Sequence, residues 1–225
     1  MPNYSILSQS PVFKGLPPEA IERLLAGAVF QIRRFQKNEL VVSKGEPVKN
    51  LYIIHSGSVS GEMMDYSGKI LKIEDIEAPK PLATAFLFGN NNIFPVSVTA
   101  NSEVEILIIP TSEFLKMMQK ERQVLINFLN VISSRAQFLS DKLHLLSFRN
   151  IRGKLAHFLL KKAPSGEQVV EIRQTQKQLA DLFGVTRPSL ARVLSEMQHE
   201  NIIRMEKKSI RILNRQILIN LLHQD

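Results

Sequence analysis

The chain has 225 residues, 44% hydrophobic and 22% charged, a balance that supports one large core or two modest ones and excludes wholesale disorder. It contains no cysteine, which excludes disulfides, thiolate zinc sites, cysteine-ligated iron–sulfur clusters and thiol catalysis. The net charge of +8 is uneven: residues 1–149 hold 16 Lys/Arg against 14 Asp/Glu, whereas residues 150–225 hold 13 against 7, so the last third points to a polyanion, either nucleic acid or an anionic membrane surface.

No stretch approaches the roughly 18 apolar residues of a membrane span. The opening Met1-Pro2-Asn3-Tyr4-Ser5 lacks the basic flank and apolar run of a signal peptide, so a cytoplasmic protein is expected. Residues 12–28 read as a short helical entry, with Pro17 and Pro18 ahead of Ile21, Leu24 and Leu25. Short β-rich runs then recur at Val29–Phe35, Glu39–Ser43, Leu51–His55, Ser58–Met63, Ile70–Glu74, Val96–Ala100 and Val104–Ile109. Turns punctuate them at Lys44-Gly45-Glu46-Pro47, His55-Ser56-Gly57 and Asp65-Tyr66-Ser67-Gly68, the pattern of a small antiparallel barrel or jelly roll. Residues 78–95, with three prolines and Gly89-Asn90-Asn91-Asn92, predict a loop with a short helical turn.

From Thr111 the period becomes helical. Leu125, Ile132, Leu139 and Leu146 recur every seven residues, and Leu129, Ala136 and Leu143 fall between them. This is an a/d seam held for three heptads, and it predicts a partner helix from a second copy of the chain. Phe128, Val131 and Phe138 widen the apolar face, so part of it is expected to pack on the barrel. Further helices are predicted at about 150–162, 176–183 and 187–200, with a turn at Pro164-Ser165-Gly166 and a closing hairpin and short helix.

The strongest local pattern runs from Thr175 to Leu194. Thr175 and Gln178 form a capping box, Gly184 suits a left-handed turn, Thr186 caps a second helix, and Pro188 sits in its first turn. Leu179, Leu182 and Phe183 face inward from the first helix; Leu190, Val193, Leu194 and Met197 do so from the second. That leaves Arg187, Ser189, Arg192 and Glu196 outside. A helix, tight turn and helix with arginines on the N-terminal half of the second is the geometry for reading a major groove. Arg187, Ser189 and Arg192 are the candidate base contacts. Asn201–Ile212 alternates around a polar turn as a wing, with Lys207 and Lys208 at its tip. These lysines, the Thr175 and Thr186 hydroxyls and Gln176 are candidate contacts to the DNA backbone.

In these stretches the chain resembles the CRP/FNR family of transcription regulators. Gly45-Glu46 with Leu51-Tyr52-Ile53-Ile54-His55-Ser56-Gly57-Ser58-Val59 is similar to that family's barrel, and Asp141-Lys142-Leu143 running into Ile151-Arg152-Gly153-Lys154-Leu155-Ala156 to its helix and hinge. The helix-turn-helix and wing carry the most specific likeness. The resemblance implies an α+β fold in three parts: a sensor barrel of the cyclic-nucleotide-binding type over residues 1–120, a dimerisation helix over 121–147, and a winged helix over 148–225. It also implies a homodimer on a palindromic double-stranded operator, RNA polymerase as a further partner, and a small-molecule effector in the barrel. The family's recognition helix carries Arg-Glu-x-x-x-Arg; Arg187 and Arg192 match it, and Pro188 replaces the Glu.

The effector residues depart further. Thr84 stands near the family's ribose-binding Glu, Phe94-Pro95 stands at its phosphate-binding Arg-Ser, and Leu139-Ser140 stands at a base-contacting Thr-Ser pair. No residue from Pro81 to Phe94 is charged, which argues against cyclic AMP, since a buried phosphate would lack a counter-charge. Thr84, Phe86, Phe88, Phe94, Leu139 and Ser140 are the candidate effector-pocket residues. An apolar pocket leaves a hydrophobic molecule or haem open, with His55, His144, His157, Met63 or Met64 as iron ligands in a nitric-oxide-responsive relative. Catalytic motifs such as P-loop, G-x-S-x-G or H-E-x-x-H are missing, so no enzyme activity is expected. The different-class alternative is a membrane-binding adaptor that uses the basic third.

Overall fold

The computed structural model describes residues 2–64, 70–164 and 166–222. The turn expected at Asp65–Gly68, Ser165 and the side chain of Met64 lie outside the described residues. The chain divides into two compact units, Met1–Arg135 and Ala136–Asp225. That division by compactness falls inside the long helix, which the sequence sets apart as a segment of its own.

In the first unit, helix α1 (Tyr4–Leu7) and helix α2 (Pro18–Ala26) precede the strands. Proline occupies the first turn of α2, where no N–H is needed, and Ile21 and Leu25 are its buried face. Among the described residues eight strands follow: β1 (Gln31–Phe35), β2 (Leu40–Val42), β3 (Asn50–Ser56), β4 (Ser58–Met64), β5 (Ile70–Glu77), β6 (Pro81–Leu82), β7 (Ser97–Ala100) and β8 (Val104–Pro110). They form two antiparallel four-stranded sheets, ordered β1-β8-β3-β6 and β2-β7-β4-β5. The two central strands of the first sheet, β3 and β8, are apolar on successive residues because both faces are covered: Leu51, Ile53 and Ile54 are buried, as are Val104 and Ile106 to Ile109. Gly57 turns β3 into β4 at φ +78°, and a Cβ there would stand 2.2 Å from the Glu103 carbonyl oxygen, so only glycine fits.

The expected loop at 78–95 contains β6 and a 3-10 turn at Thr84–Phe86. Helix α3 (Thr111–Lys120) is separate from helix α4 (Arg122–Ser147), although the helical pattern runs on from Thr111. Good helix formers run through the break, but Glu121 is extended and its carboxylate accepts the Gln123 N–H at 3.1 Å, so a new N-terminus starts there. Val124, Asn127 and Phe128 bury one face of α4 in the first unit, and Asn127 donates to the carbonyls of Val12 (3.0 Å) and Lys14 (2.7 Å).

The second unit continues with helix α5 (Ile151–Lys162), strand β9 (Val169–Glu171), helix α6 (Gln176–Phe183), helix α7 (Arg187–His199), strands β10 (Ile203–Met205) and β11 (Ser209–Ile212), and helix α8 (Arg215–Leu221). The wing is a three-stranded sheet, β10-β11-β9; its outer strand is too short to stand out by alternation. A separate core joins Leu155, Phe158 and Leu159 of α5 to Phe183, Leu190, Leu194, Ile203 and Ile210.

Candidate nucleic-acid interface

The Thr175 hydroxyl accepts the Gln178 N–H at 3.2 Å, and the Gln178 side chain accepts the Thr175 N–H at 2.9 Å. This reciprocal box starts α6. At its other end Gly184 adopts φ +67° while Val185 N–H reaches back to the Ala180 carbonyl at 3.0 Å, a Schellman closure. A Cβ on Gly184 would also meet the Leu146 side chain at 3.1 Å. The buried ammonium of Lys154, on α5, donates to the Phe183 carbonyl at 3.0 Å and satisfies an orphan at the positive-charge-favouring end of α6.

Helix α7 begins on the Thr186 hydroxyl, which accepts the Ser189 N–H at 3.3 Å. Leu190, Leu194 and Met197 are buried beneath it. Its opposite face presents Arg187, exposed, and Arg192, whose side chain is 81% exposed. The Gln198 side chain accepts the Met205 N–H at 2.8 Å and ties α7 to the wing. At the wing turn Glu206 takes up Arg211 at 2.8 Å and Ser209 at 2.9 Å. Hydrogen bonds from Arg211 first, then from Ser209, hold the Glu206 carboxyl below its ordinary range. Lys207 and Lys208 stay exposed with no side-chain partner among the described residues.

The candidate DNA contacts therefore lie on one compact unit, but they are not equally free. The Thr186 and Ser189 hydroxyls bond each other at 2.8 Å, and the Thr175 hydroxyl is engaged in its box. All of the candidates but half-buried Ser189 are exposed, and Arg187, Arg192, Gln176, Lys207 and Lys208 are the ones not engaged in a cap. Two partners escaped the sequence reading. Glu196 accepts from Arg192 Nε at 2.8 Å, and its i+4 spacing was a local signal. Glu200 is gripped by Arg152 across 48 residues, through Nη1 at 2.8 Å and through Nη2, and no local signal marks it. The Arg152 hydrogen bond holds the Glu200 carboxyl below its ordinary range, against the opposing effect of burial.

The candidate effector residues are distributed differently. Phe94 is 1% exposed and meets Tyr52 edge-on at 5.5 Å, Phe86 packs on the core, and Phe88 meets Phe128 at 5.5 Å. These rings are engaged in packing. Thr84 is half-buried at the start of the 3-10 turn, and Leu139 and Ser140 are exposed on α4 in the second unit. His55 is buried with both ring nitrogens committed: Nε2 accepts the Asn3 N–H at 2.7 Å, and Nδ1 faces Glu105 at 3.3 Å. It has no lone pair left for iron. His144 and His157 meet edge-on in the second unit with ring centres 4.6 Å apart. Among the described residues there is no acid, histidine and cysteine group suited to a metal ion, and no helix is long and apolar enough to cross a membrane.

Residues 153–221 match the family described as Crp-like helix-turn-helix domain, and residues 32–121 match the family described as cyclic nucleotide-binding domain. The chain is 24% identical over 214 residues to the "Probable transcriptional regulator flp" of Lacticaseibacillus casei, covering 94% of this chain and 95% of that one. It is 26% identical over 209 residues to the cyclic AMP receptor protein of Thermus thermophilus, covering 90% and 92%. Among solved structures, the Thermus thermophilus catabolite activator protein superposes with a TM-score of 0.55 at 23% identity, covering 95% of this chain and 99% of that one.

Proposed function

The chain belongs to the CRP/FNR family of DNA-binding transcription regulators, and from that premise we propose that it acts as a homodimer on a palindromic operator, under control of a barrel effector other than cyclic AMP. The observation that carries the reading is the two-faced α7, with apolar residues locked into the core and Arg187 and Arg192 presented outward beside the lysine-tipped wing. Arg187 and Arg192 read bases, while Lys207, Lys208 and Gln176 hold phosphates. The exposed leucines of α4 form the seam between copies, so the helix 121–147 works as a segment between the sensor (1–120) and the DNA-binding part (148–225).

An uncharged Pro81–Phe94 segment with Phe94 packed into the core supports an uncharged or apolar effector. The commitments of His55 do not fit haem ligation, so no step is assigned to haem. An effector acts by differential affinity for two arrangements of the dimer, only one of which sets the recognition helices about 34 Å apart in successive major grooves. The regulator is cytoplasmic, performs no catalysis and hands its signal to RNA polymerase.

The test is binding to an operator selected from randomised duplexes, with random DNA in parallel. Arg192→Ala should abolish selective binding, whereas Lys208→Ala should weaken binding to all sequences and lower the salt dependence by about one counterion. Equal effects of both variants on selected and random DNA refute the assignment, and binding only to anionic vesicles replaces DNA by a membrane.

A further inference from the structure

Arg192 and Glu196 lie four residues apart on one side of α7, and Glu200, four residues further on, caps the C-terminus of that helix. Arg192 Nε donates to Glu196 Oε1 at 2.8 Å, and Arg152, the second residue of α5, grips Glu200. Glu200 chiefly, with a smaller contribution from the Glu196 charge, raises Arg152 above its ordinary range. The result is two neighbouring ion pairs, one at the base-reading arginine and one at the start of α5.

The Arg192–Glu196 pair is poorly suited to stabilising the helix. Its side chains are 81% and 40% exposed, where ion pairs contribute little, and arginine preceding glutamate is the less favourable order along a helix. A carboxylate on this face also repels phosphate. Geometry supplies a different role. Arginine has five N–H donors in a fixed plane; with Nε committed to Glu196, the two terminal NH2 groups remain as the donors for a partner. That end-on fork matches the paired O6 and N7 acceptors of guanine and forbids the side-on approach through Nε.

We propose that Glu196 is a positioning residue that determines base specificity by presenting Arg192 end-on to a guanine. This rests on Arg192 being a base reader. Glu196 thus supplies an acidic constraint on the recognition helix, on which Pro188 stands where the family has glutamate.

The experiment uses the full chain and the operator that the native protein selects from randomised duplexes, compared with the same duplex altered at the guanine that Arg192 reads. Glu196→Ala should reduce the preference for guanine by about tenfold while binding to random DNA stays equal or tightens. Glu196→Gln retains an acceptor at the same reach without the charge, so its preference should stay within about threefold of native. Identical behaviour of the two variants would assign the effect to charge alone and overturn the proposal, as would an unchanged preference in Glu196→Ala. Arg192→Ala run alongside separates the failures: if it too leaves the preference intact, the reader assignment is wrong; if only Glu196→Ala is silent, the positioning role is. With 15N-arginine protein free of DNA, the Arg192 Nε–H signal should shift and lose exchange protection in Glu196→Ala; an unchanged signal refutes the contact.

Discussion

Replacing Leu139 and Leu143 together by glutamate tests whether α4 is a dimer seam. Leu125, Leu129, Leu139, Leu143 and Leu146 are 39%, 54%, 48%, 70% and 41% exposed, so each offers roughly half a leucine to a partner. Full burial of a leucine is worth about 1.5–3 kcal/mol, so ten half-exposed leucines in two helices offer about 8–15 kcal/mol. Association costs about 4–15 kcal/mol. The two quantities are close enough that losing four of the ten, about 3–6 kcal/mol, should weaken the dimer by two to four powers of ten. Four new carboxylates in the seam add repulsion. Ile132 is a worse target, because it is half-buried against the core of its own unit and its replacement would confound folding with assembly. Sedimentation equilibrium should show a monomer at micromolar concentration, circular dichroism should remain native, and affinity for the selected palindrome should fall toward that for a half-site. A monomeric variant that binds the palindrome with native affinity would refute the reasoning, as would a double variant that remains dimeric.

Gly184→Ala places a Cβ in the left-handed region and against Leu146, and should destabilise the second unit by about 1–2 kcal/mol in urea unfolding. Lys154→Met removes the charged donor to the Phe183 carbonyl and should cost about 1.5–3 kcal/mol, read as a lower unfolding midpoint with weaker DNA binding. His157 is held below its ordinary range by burial first and then by His144 and Lys161, with Asp141 opposing. The folded state therefore resists protonation, so stability should be lost as pH falls through the ordinary histidine range around 6.5, and His157→Gln should flatten that slope; an unchanged pH profile would contradict the His144–His157 packing. Titration calorimetry with cyclic AMP should show no binding to the native chain.

Local rules account for the parts of the interface that depend on neighbours in sequence. Thr175 with Gln178, Gly184, and Thr186 with Pro188 each satisfy a backbone requirement within a few residues, and α6 occupies the predicted residues 176–183. The strands from Gln31 to Pro110 other than β6 follow because β-branched and apolar runs between turn residues carry their own punctuation. Spacing alone misses what spans long separations. Arg152 meets Glu200 only after α5 and α7 pack, and Lys154 reaches the Phe183 carbonyl only because folding brings that end of α6 to α5.

By itself the sequence determined the order of a β-rich domain, a heptad-bearing helix and a basic winged helix, and it marked Arg187 and Arg192 as outward-facing, because periodicity and capping are local properties. Only the tertiary structure decided which groups remain available. It packed Phe94 against Tyr52, committed both nitrogens of His55, joined Arg152 to Glu200 and set Lys154 on the Phe183 carbonyl. A polar or aromatic side chain is free for a ligand only when folding leaves it without a better partner, and partners come from the whole three-dimensional neighbourhood.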